Sequence, residues 1–310
     1  MGAVGFQEAD WIWKDGEYVA WHDCKVHLLA TAVQFGTSVF EGIRAYPTDK
    51  GPAVFRLREH IDRLVDSATI YRMLPEYDAD TLFNVCLEVI RKNGLTNCYI
   101  RPMILRGYGT PGLDPTLSPI DTYVAAWGWG TYLGQEALEA GVDVCVSSWS
   151  RMAPNTFPAR AKAGGHYVNA QLMKMEAVAN GYVDAIALAP GGTVSEGSGM
   201  NLFLVDEGKI ITPVLDGTSL AGITRSAVIQ MARDLGYEVE ARMVPREELY
   251  TVDELFFTGT AAEVTPIRSV DRIEIGKGRA GPITLEIQKR FLETVRGEND
   301  DPHGYLTFVD

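Results

Sequence analysis

Beyond residue 142 the chain alternates short apolar runs with stretches of helical period, which restricts it to helices layered on a sheet. Residues 142–149, 183–189 and 202–205 read as strands, and residues 167–180 and 224–235 as helices. The earlier part has its own set. Trp11-Ile12-Trp13-Lys14-Asp15-Gly16-Glu17-Tyr18-Val19 reads as a hairpin with Asp-Gly at its turn. Residues 58–73 form a helix with Ile61, Leu64, Val65, Ala68 and Tyr71 on one stripe and Asp62, Arg63 and Asp66 off it. A second helix, 80–92, turns Leu82, Phe83, Cys86, Val89 and Ile90 inward, with Gly94 just beyond its end. Residues 98–105 alternate as a strand with Tyr99, Arg101 and Met103 on one face, and 122–127 form another. Between the two sets, Gly128-Trp129-Gly130-Thr131-Tyr132-Leu133-Gly134 places three glycines in seven residues, before a helix-like stretch at 135–140. The chain therefore reads as α/β or α+β with two lobes: a small domain at 1–127, a linker at 128–136 and a large domain at 137–310. A length of 310 residues suits two modest cores better than one.

Charge and cysteine usage narrow the function. A net charge of −13 repels phosphate backbones and argues against a nucleic-acid partner. A small anion held by local donors stays compatible with it. No apolar run reaches the length of a membrane span. Met1 to Asp10 has neither a basic region nor an apolar stretch, so no signal peptide is read and a cytoplasmic protein is expected. Cys24, Cys86, Cys98 and Cys145 are widely spaced and read as reduced, mostly buried thiols. The histidines show no metal-ligand spacing, and no metal is expected.

Gly107-Tyr108-Gly109-Thr110-Pro111-Gly112 is a literal G-x-G-x-x-G after a strand. A dinucleotide site requires a helix to begin there, and Leu113-Asp114-Pro115-Thr116-Leu117-Ser118-Pro119 has two prolines and no helical period. Two other stretches carry more. In Ala161-Lys162-Ala163-Gly164-Gly165-His166-Tyr167 one lysine sits among residues with almost no side chain, ahead of a helix expected to bury Leu172, Met175 and Ala179. A lysine tucked there is desolvated, which favours the neutral amine that attacks a carbonyl. In Val194-Ser195-Glu196-Gly197-Ser198-Gly199-Met200-Asn201-Leu202-Phe203 a lone carboxylate stands among small residues.

Together these stretches resemble the branched-chain aminotransferase family of pyridoxal-phosphate enzymes, the fold-type IV group, whose fold is like that of D-amino-acid aminotransferase. The likeness runs nearly end to end, from Lys25-Val26-His27 to Gly281-Pro282-Ile283-Thr284. It implies that pyridoxal 5′-phosphate is the cofactor and that Lys162 bonds to its aldehyde, then shuttles the α-proton. Glu196 would face the pyridine nitrogen, keeping the ring electron-withdrawing, and Tyr167 would hold the phenolic oxygen. Asn201, Thr212 and Gly222-Ile223-Thr224-Arg225 continue the pattern. For the phosphate the resemblance points to Ile223 and Thr224 at a helix start, to Gly259 and Thr260 in a second loop, and to Arg63.

On the substrate side it points to Tyr99, Ala261 and Ala262 for the α-carboxylate and to Phe40, Trp129 and Tyr132 as pocket walls. Leu113 would arrive from a second subunit, so at least a homodimer is implied. Arg101 would meet the second carboxylate of 2-oxoglutarate or glutamate. The implied partners are thus amino acids and 2-oxo acids, exchanged in a ping-pong transamination of L-leucine, L-isoleucine and L-valine. A D-amino-acid or (R)-amine transaminase and an aminodeoxychorismate-type lyase share the fold. The first fits the Tyr99–Arg101 pair and an apolar wall less well, and the second calls for basic residues that are not seen. A non-catalytic carrier would not need Lys162. The chain departs from the family at Phe35, commonly tyrosine, and at Met200, often glutamate.

Overall fold

A computed structural model describes residues 7–130 and 140–310, which fall into two compact units. The first gathers the described part of Met1–Gly130 with Ala161–Gly165 and Thr294–Asp310; the second gathers the described part of Thr131–Arg160 with His166–Glu293. This partition is not linear. Ala163 bridges Val39, and the strand Leu306–Phe308 pairs with Gly51–Phe55, so both short returns of chain are hydrogen-bonded into the first unit.

The first unit is built on an antiparallel sheet in the order Leu306–Phe308, Gly51–Phe55, Ile43–Thr48, Cys98–Arg106, Ile120–Gly128, Trp11–Lys14, Glu17–Ala20, with Ser38–Phe40 also pairing on Cys98–Arg106. The helices Leu57–Ile70 and Ala79–Lys92 lie on the sheet, and their inward Leu64, Ala68, Leu82, Cys86 and Ile90 make one core with Val39, Ile43 and Ile100. Asp78 caps the second helix through Thr81 N at 2.8 Å. Its end is marked by Gly94 at φ 61°. The Trp11 hairpin turns through Asp15 and Gly16 at φ 45° and 93°, the left-handed pair a two-residue turn demands. No helix follows the Gly107–Gly112 glycines.

The second unit has a mixed sheet in the order Val194–Gly197, Asp184–Leu188, Val142–Val146, Glu263–Val270, Glu254–Gly259, Asn201–Asp206, Lys209–Pro213, Val239–Arg242, with Ile273–Glu274 at the side. Val142–Val146 stops three residues short of the expected strand, because Ser147 Oγ and Ser148 N turn to the Glu176 carboxylate. Tyr167–Ala179 packs on Asp184–Leu188, and Ile223–Asp234 on Glu254–Gly259.

One expected face is corrected. The Tyr167–Ala179 helix buries Ala170, Met173 and Ala177, whereas Met175 and Ala179 are exposed and Leu172 is half-buried. The helix lies against Ala185 and Ala187, and small side chains on both surfaces let the two backbones approach closely. A helix apolar almost all round gives periodicity no single face to choose. The helix-like stretch at 135–140 and most of the expected linker lie outside the described residues.

Candidate active site

In the first unit Lys162 is held by its backbone from two sides. Its N–H donates to Ser67 Oγ at 3.0 Å, and its carbonyl accepts from Phe40 N at 3.0 Å. The flanking Ala161 and Ala163 are buried. The glycines that follow pack closely against the Gly36–Ser38 segment. A Cβ on Gly164 would stand 2.4 Å from Ser38 Oγ, and Gly36, at φ 70°, lies against Gly165.

Lys162 Nζ lies 5.3 Å from the Phe40 ring centre, and the Arg101 guanidinium lies 4.6 Å from the same ring. Arg101 is also 5.4 Å from the Tyr99 ring and 5.8 Å from Trp127. Tyr99 stacks on Trp127 at 5.2 Å and meets Trp129 at 4.9 Å. The result is an aromatic wall carrying one amine and one guanidinium. The buried Arg101 Nε has no protein hydrogen-bond partner. The Tyr99 hydroxyl is seated on Gly42, where a Cβ would fall 1.8 Å from it. Tyr132 lies outside the described residues. Leu113 is in an exposed loop of this unit.

Arg63 is not the solvated arginine that its position off the apolar stripe indicates. Its Nε and Nη2 reach Glu41 Oε1 and Oε2 at 2.6 and 2.9 Å, and His60 Nδ1 meets Glu41 Oε2 at 2.7 Å. Glu41 and His60 are buried, and sequence reasoning assigned neither a role. A lone carboxylate inside Val39-Phe40-Glu41-Gly42-Ile43 was the available signal, since a charge within an apolar run needs a partner. Burial alone would raise the Glu41 pKa, but Arg63 and His60 hold it well below the usual carboxylate range. Burial lowers that of His60 against the opposing pull of Glu41.

In the second unit Glu196 is a buried residue of the strand Val194–Gly197 rather than a surface turn. Its Oε1 pairs with Arg151 Nη2 at 2.8 Å, and its Oε2 accepts from Leu220 N at 3.1 Å and Asn201 Nδ2 at 3.4 Å. Asn201 stands opposite Thr258 in the sheet. Its Oδ1 also lies so close to Gly222 that a Cβ there would fall 1.9 Å from it. Gly222 caps the helix Ile223–Asp234, whose first residues are Ile223 and Thr224. Buried Arg225 anchors that helix through Thr212 Oγ1 at 3.1 Å and Pro213 O at 3.1 Å. Gly259, Thr260, Ala261 and Ala262 form the tight connection between Glu254–Gly259 and Glu263–Val270, closed by Glu263 at φ 54°. Asn201 thus brings together the carboxylate, the helix start and the strand-end turn. Tyr167 opens its helix and packs half-buried beside Ala170 and Ala185. Met200 is buried in the apolar core with Leu202 and Phe257, which accounts for a methionine there.

The donor set fits pyridoxal phosphate. A buried carboxylate held by three donors suits a protonated ring nitrogen. A helix N-terminus beside a glycine–threonine turn suits a phosphate. The Thr258 hydroxyl, buried at that turn, has no protein partner. Sequence reasoning did not single it out.

His166, just before Tyr167, has its pKa lowered to about 4 by burial and by the nearby Arg151. His166 and His60 both take protons less readily folded than unfolded, so stability falls once pH drops below the unfolded histidine value of roughly 6.5. Glu41, with its depressed pKa, adds a further loss as pH falls through the carboxylate range. The melting temperature is expected to be level between about pH 7 and 8 and to decline from about pH 6.5 downward. His166→Gln should make that decline shallower, since His60 alone then sets its onset. A wild-type melting temperature level down to pH 5 contradicts the assignment.

Comparison with known proteins agrees with this geometry. The amino-transferase class IV family matches residues 38–270, and the chain belongs to that family. It is 50% identical over 305 residues to the branched-chain-amino-acid aminotransferase of Escherichia coli strain K12, covering 98% of this chain and 99% of that one. The crystal structure of the Escherichia coli branched-chain aminotransferase superposes with a TM-score of 0.96 at 51% identity, covering 98% and 100% of the two chains. The crystal structure of the T.th. branched-chain aminotransferase with pyridoxamine 5′-phosphate gives 0.95 at 46% identity, with the same coverage. The fold is thus that of fold-type IV aminotransferases.

Proposed function

We infer that this chain is a pyridoxal-phosphate-dependent branched-chain-amino-acid transaminase. It moves the amino group between L-leucine, L-isoleucine or L-valine and 2-oxoglutarate in two half-reactions. The observation that carries the reading is the Phe40 ring with Lys162 on it and Arg101 against it. An apolar wall that also presents one guanidinium accepts a branched alkyl chain and, in the other half-reaction, a carboxylate.

Bound pyridoxal phosphate supplies an aldehyde for the substrate amine and a ring that withdraws electrons from the α-carbon. Lys162 Nζ holds and returns the α-proton. Glu196 presents a fixed negative charge to the ring nitrogen, and Tyr167 donates to the phenolic oxygen. The N–H groups of Ile223, Thr224 and Thr260, the Thr260 hydroxyl and Arg63 hold the phosphate, with Gly259 letting the turn approach it. The Tyr99 hydroxyl and the Ala261 and Ala262 N–H groups orient the α-carboxylate. Phe40, Trp129 and Tyr132 exclude water from the side-chain pocket.

A second copy of the chain completes the site with Leu113. Supporting this, Leu28, Leu113 and Leu117 are 76%, 85% and 86% exposed. Their two segments are tied together, Thr31 N donating to Gly107 O at 3.2 Å and His27 stacking on Tyr108 at 4.1 Å. An apolar face of this kind marks an interface. Cytoplasmic placement is supported by four unbridged cysteines and by the absence, among the described residues, of a helix able to cross a membrane. The proposed organisation is a small domain at 1–127, a linker at 128–136 and a large domain at 137–310, with Ala161–Gly165 and Thr294–Asp310 returning to the small domain.

The test is the visible absorbance of the cofactor-loaded protein before and after L-leucine, with no oxo acid present. Conversion to the pyridoxamine spectrum is expected. A spectrum that L-leucine leaves unchanged excludes the branched-chain assignment. The half-exposed Phe35 stands where the family's tyrosine could donate to the glutamate side chain. Phe35→Tyr is therefore expected to tighten glutamate by about 0.5–1.5 kcal/mol, the net worth of one hydrogen bond, without affecting leucine. An unchanged glutamate KM refutes that role.

A further inference from the structure

We propose that Arg151 is a positioning residue that locks the ring-facing carboxylate and the ring-facing tyrosine into one rigid unit, an inference that rests on the proposed function. Arg151 sits beyond the strand Val142–Val146, where the sequence reads as an ordinary polar loop, Ser147-Ser148-Trp149-Ser150-Arg151. The side chain is nonetheless almost fully buried. A guanidinium stays there only if its donors are satisfied.

All three of its nitrogens have partners, each from a different stretch of the chain. Nη2 meets Glu196 Oε1 at 2.8 Å on the strand Val194–Gly197. Nη1 donates to Asn169 Oδ1 at 3.0 Å in the first turn of the helix Tyr167–Ala179. Nε donates to Thr218 O at 3.4 Å. Asn169 answers through Nδ2 to Ser150 O at 3.1 Å, and the Arg151 N–H fixes the backbone to Leu188 O at 2.9 Å.

Two consequences follow from this fork. Glu196 has Arg151 on one oxygen and Leu220 N with Asn201 on the other, so its carboxylate plane is set before any ring arrives. The same guanidinium sets a positive charge against a buried carboxylate. Through Asn169 it also ties down the turn that begins with Tyr167. A lysine offers its donors from a single nitrogen and cannot span partners set around a planar fork, so the fork is what the arrangement uses.

Cofactor-free protein titrated with pyridoxal phosphate and with its 1-deaza analogue, which lacks the ring nitrogen, tests this. Wild type is expected to prefer the natural cofactor. Arg151→Lys and Arg151→Gln should weaken pyridoxal phosphate by about tenfold, as for one charge-assisted hydrogen bond, and leave the deaza analogue within about twofold. Asn169→Ala, which leaves the guanidinium on Glu196 and frees only the Tyr167 turn, should weaken both probes alike by about twofold, since both carry the phenolic oxygen. It carries the test if the Arg151 variants do not fold, and no loss with either probe there overturns the inference. Equal weakening of both probes by the Arg151 variants, or none, overturns the inference and leaves the proposed function standing. A wild-type protein that takes up neither probe overturns both.

Discussion

Replacing Lys162 by alanine is expected to abolish both half-reactions, lowering turnover by about 10⁴-fold or more, because in the proposed mechanism one amine serves as covalent anchor and as proton carrier. The fold should survive the change. Lys162 is fixed by its own N–H and carbonyl, to Ser67 and Phe40, and alanine keeps both hydrogen bonds. Its neighbours Ala161 and Ala163 do the packing. Removing the side chain therefore takes away chemistry and little stability, which separates this variant from one that merely unfolds. Rapid-mixing spectra with L-leucine, and separately with 2-oxoglutarate, measure each half-reaction alone, and a melting curve checks the fold. A small primary amine added in solution should restore part of the proton transfer. Appreciable turnover without such an amine would remove Lys162 from the mechanism.

Much of the proposed site is legible because its residues stand in stretches of small side chains. A lysine between two alanines and two glycines, and a glutamate among glycines and serines, are conspicuous where the backbone must approach a ligand. The helices Leu57–Ile70 and Ala79–Lys92 were legible to within a few residues, since each buries one stripe. Three things were not. Short strands such as Ser38–Phe40 and Val194–Gly197 are too brief to show a period, and both carry residues of the proposed site. The buried face of Tyr167–Ala179 was misread because its alanines, rather than its larger Leu172 and Met175, face the sheet. The charged partners Glu41, His60 and Arg151 were passed over because each meets its counterpart across a long stretch of chain. Arg63 and Glu41 are 22 positions apart, and Asn169 lies 18 beyond Arg151. No local pattern records such a pairing, whereas a buried charge in a folded chain requires one.

The same requirement makes Glu41→Ala the substitution with the largest expected effect on stability, a loss of about 3–5 kcal/mol. Glu41 is 0% exposed, and its two oxygens take Arg63 Nε, Arg63 Nη2 and His60 Nδ1. Alanine would leave the Arg63 charge in a poorly solvated place and strip His60 of its acceptor, while opening a cavity below the Phe40 strand. Glu41→Gln keeps the shape and one acceptor oxygen, so its cost should be smaller, about 1–3 kcal/mol. The consequences extend to the cofactor. Glu41 grips Arg63 along its Nε–Nη2 edge, and a guanidinium released from that grip loses the orientation a phosphate needs. Pyridoxal-phosphate affinity should therefore fall in both variants, and fall further in alanine than in glutamine. Urea unfolding of the cofactor-free protein isolates the stability effect from cofactor linkage, because anything that binds only the folded state adds its own stabilisation. Adding Arg63→Ala to Glu41→Ala should cost less than the sum of the two single changes, since the charge left unpaired by the first is removed by the second. A Glu41→Ala loss below about 1 kcal/mol, or strict additivity in the pair, would mean that water reaches Arg63 and that Glu41 does not hold it.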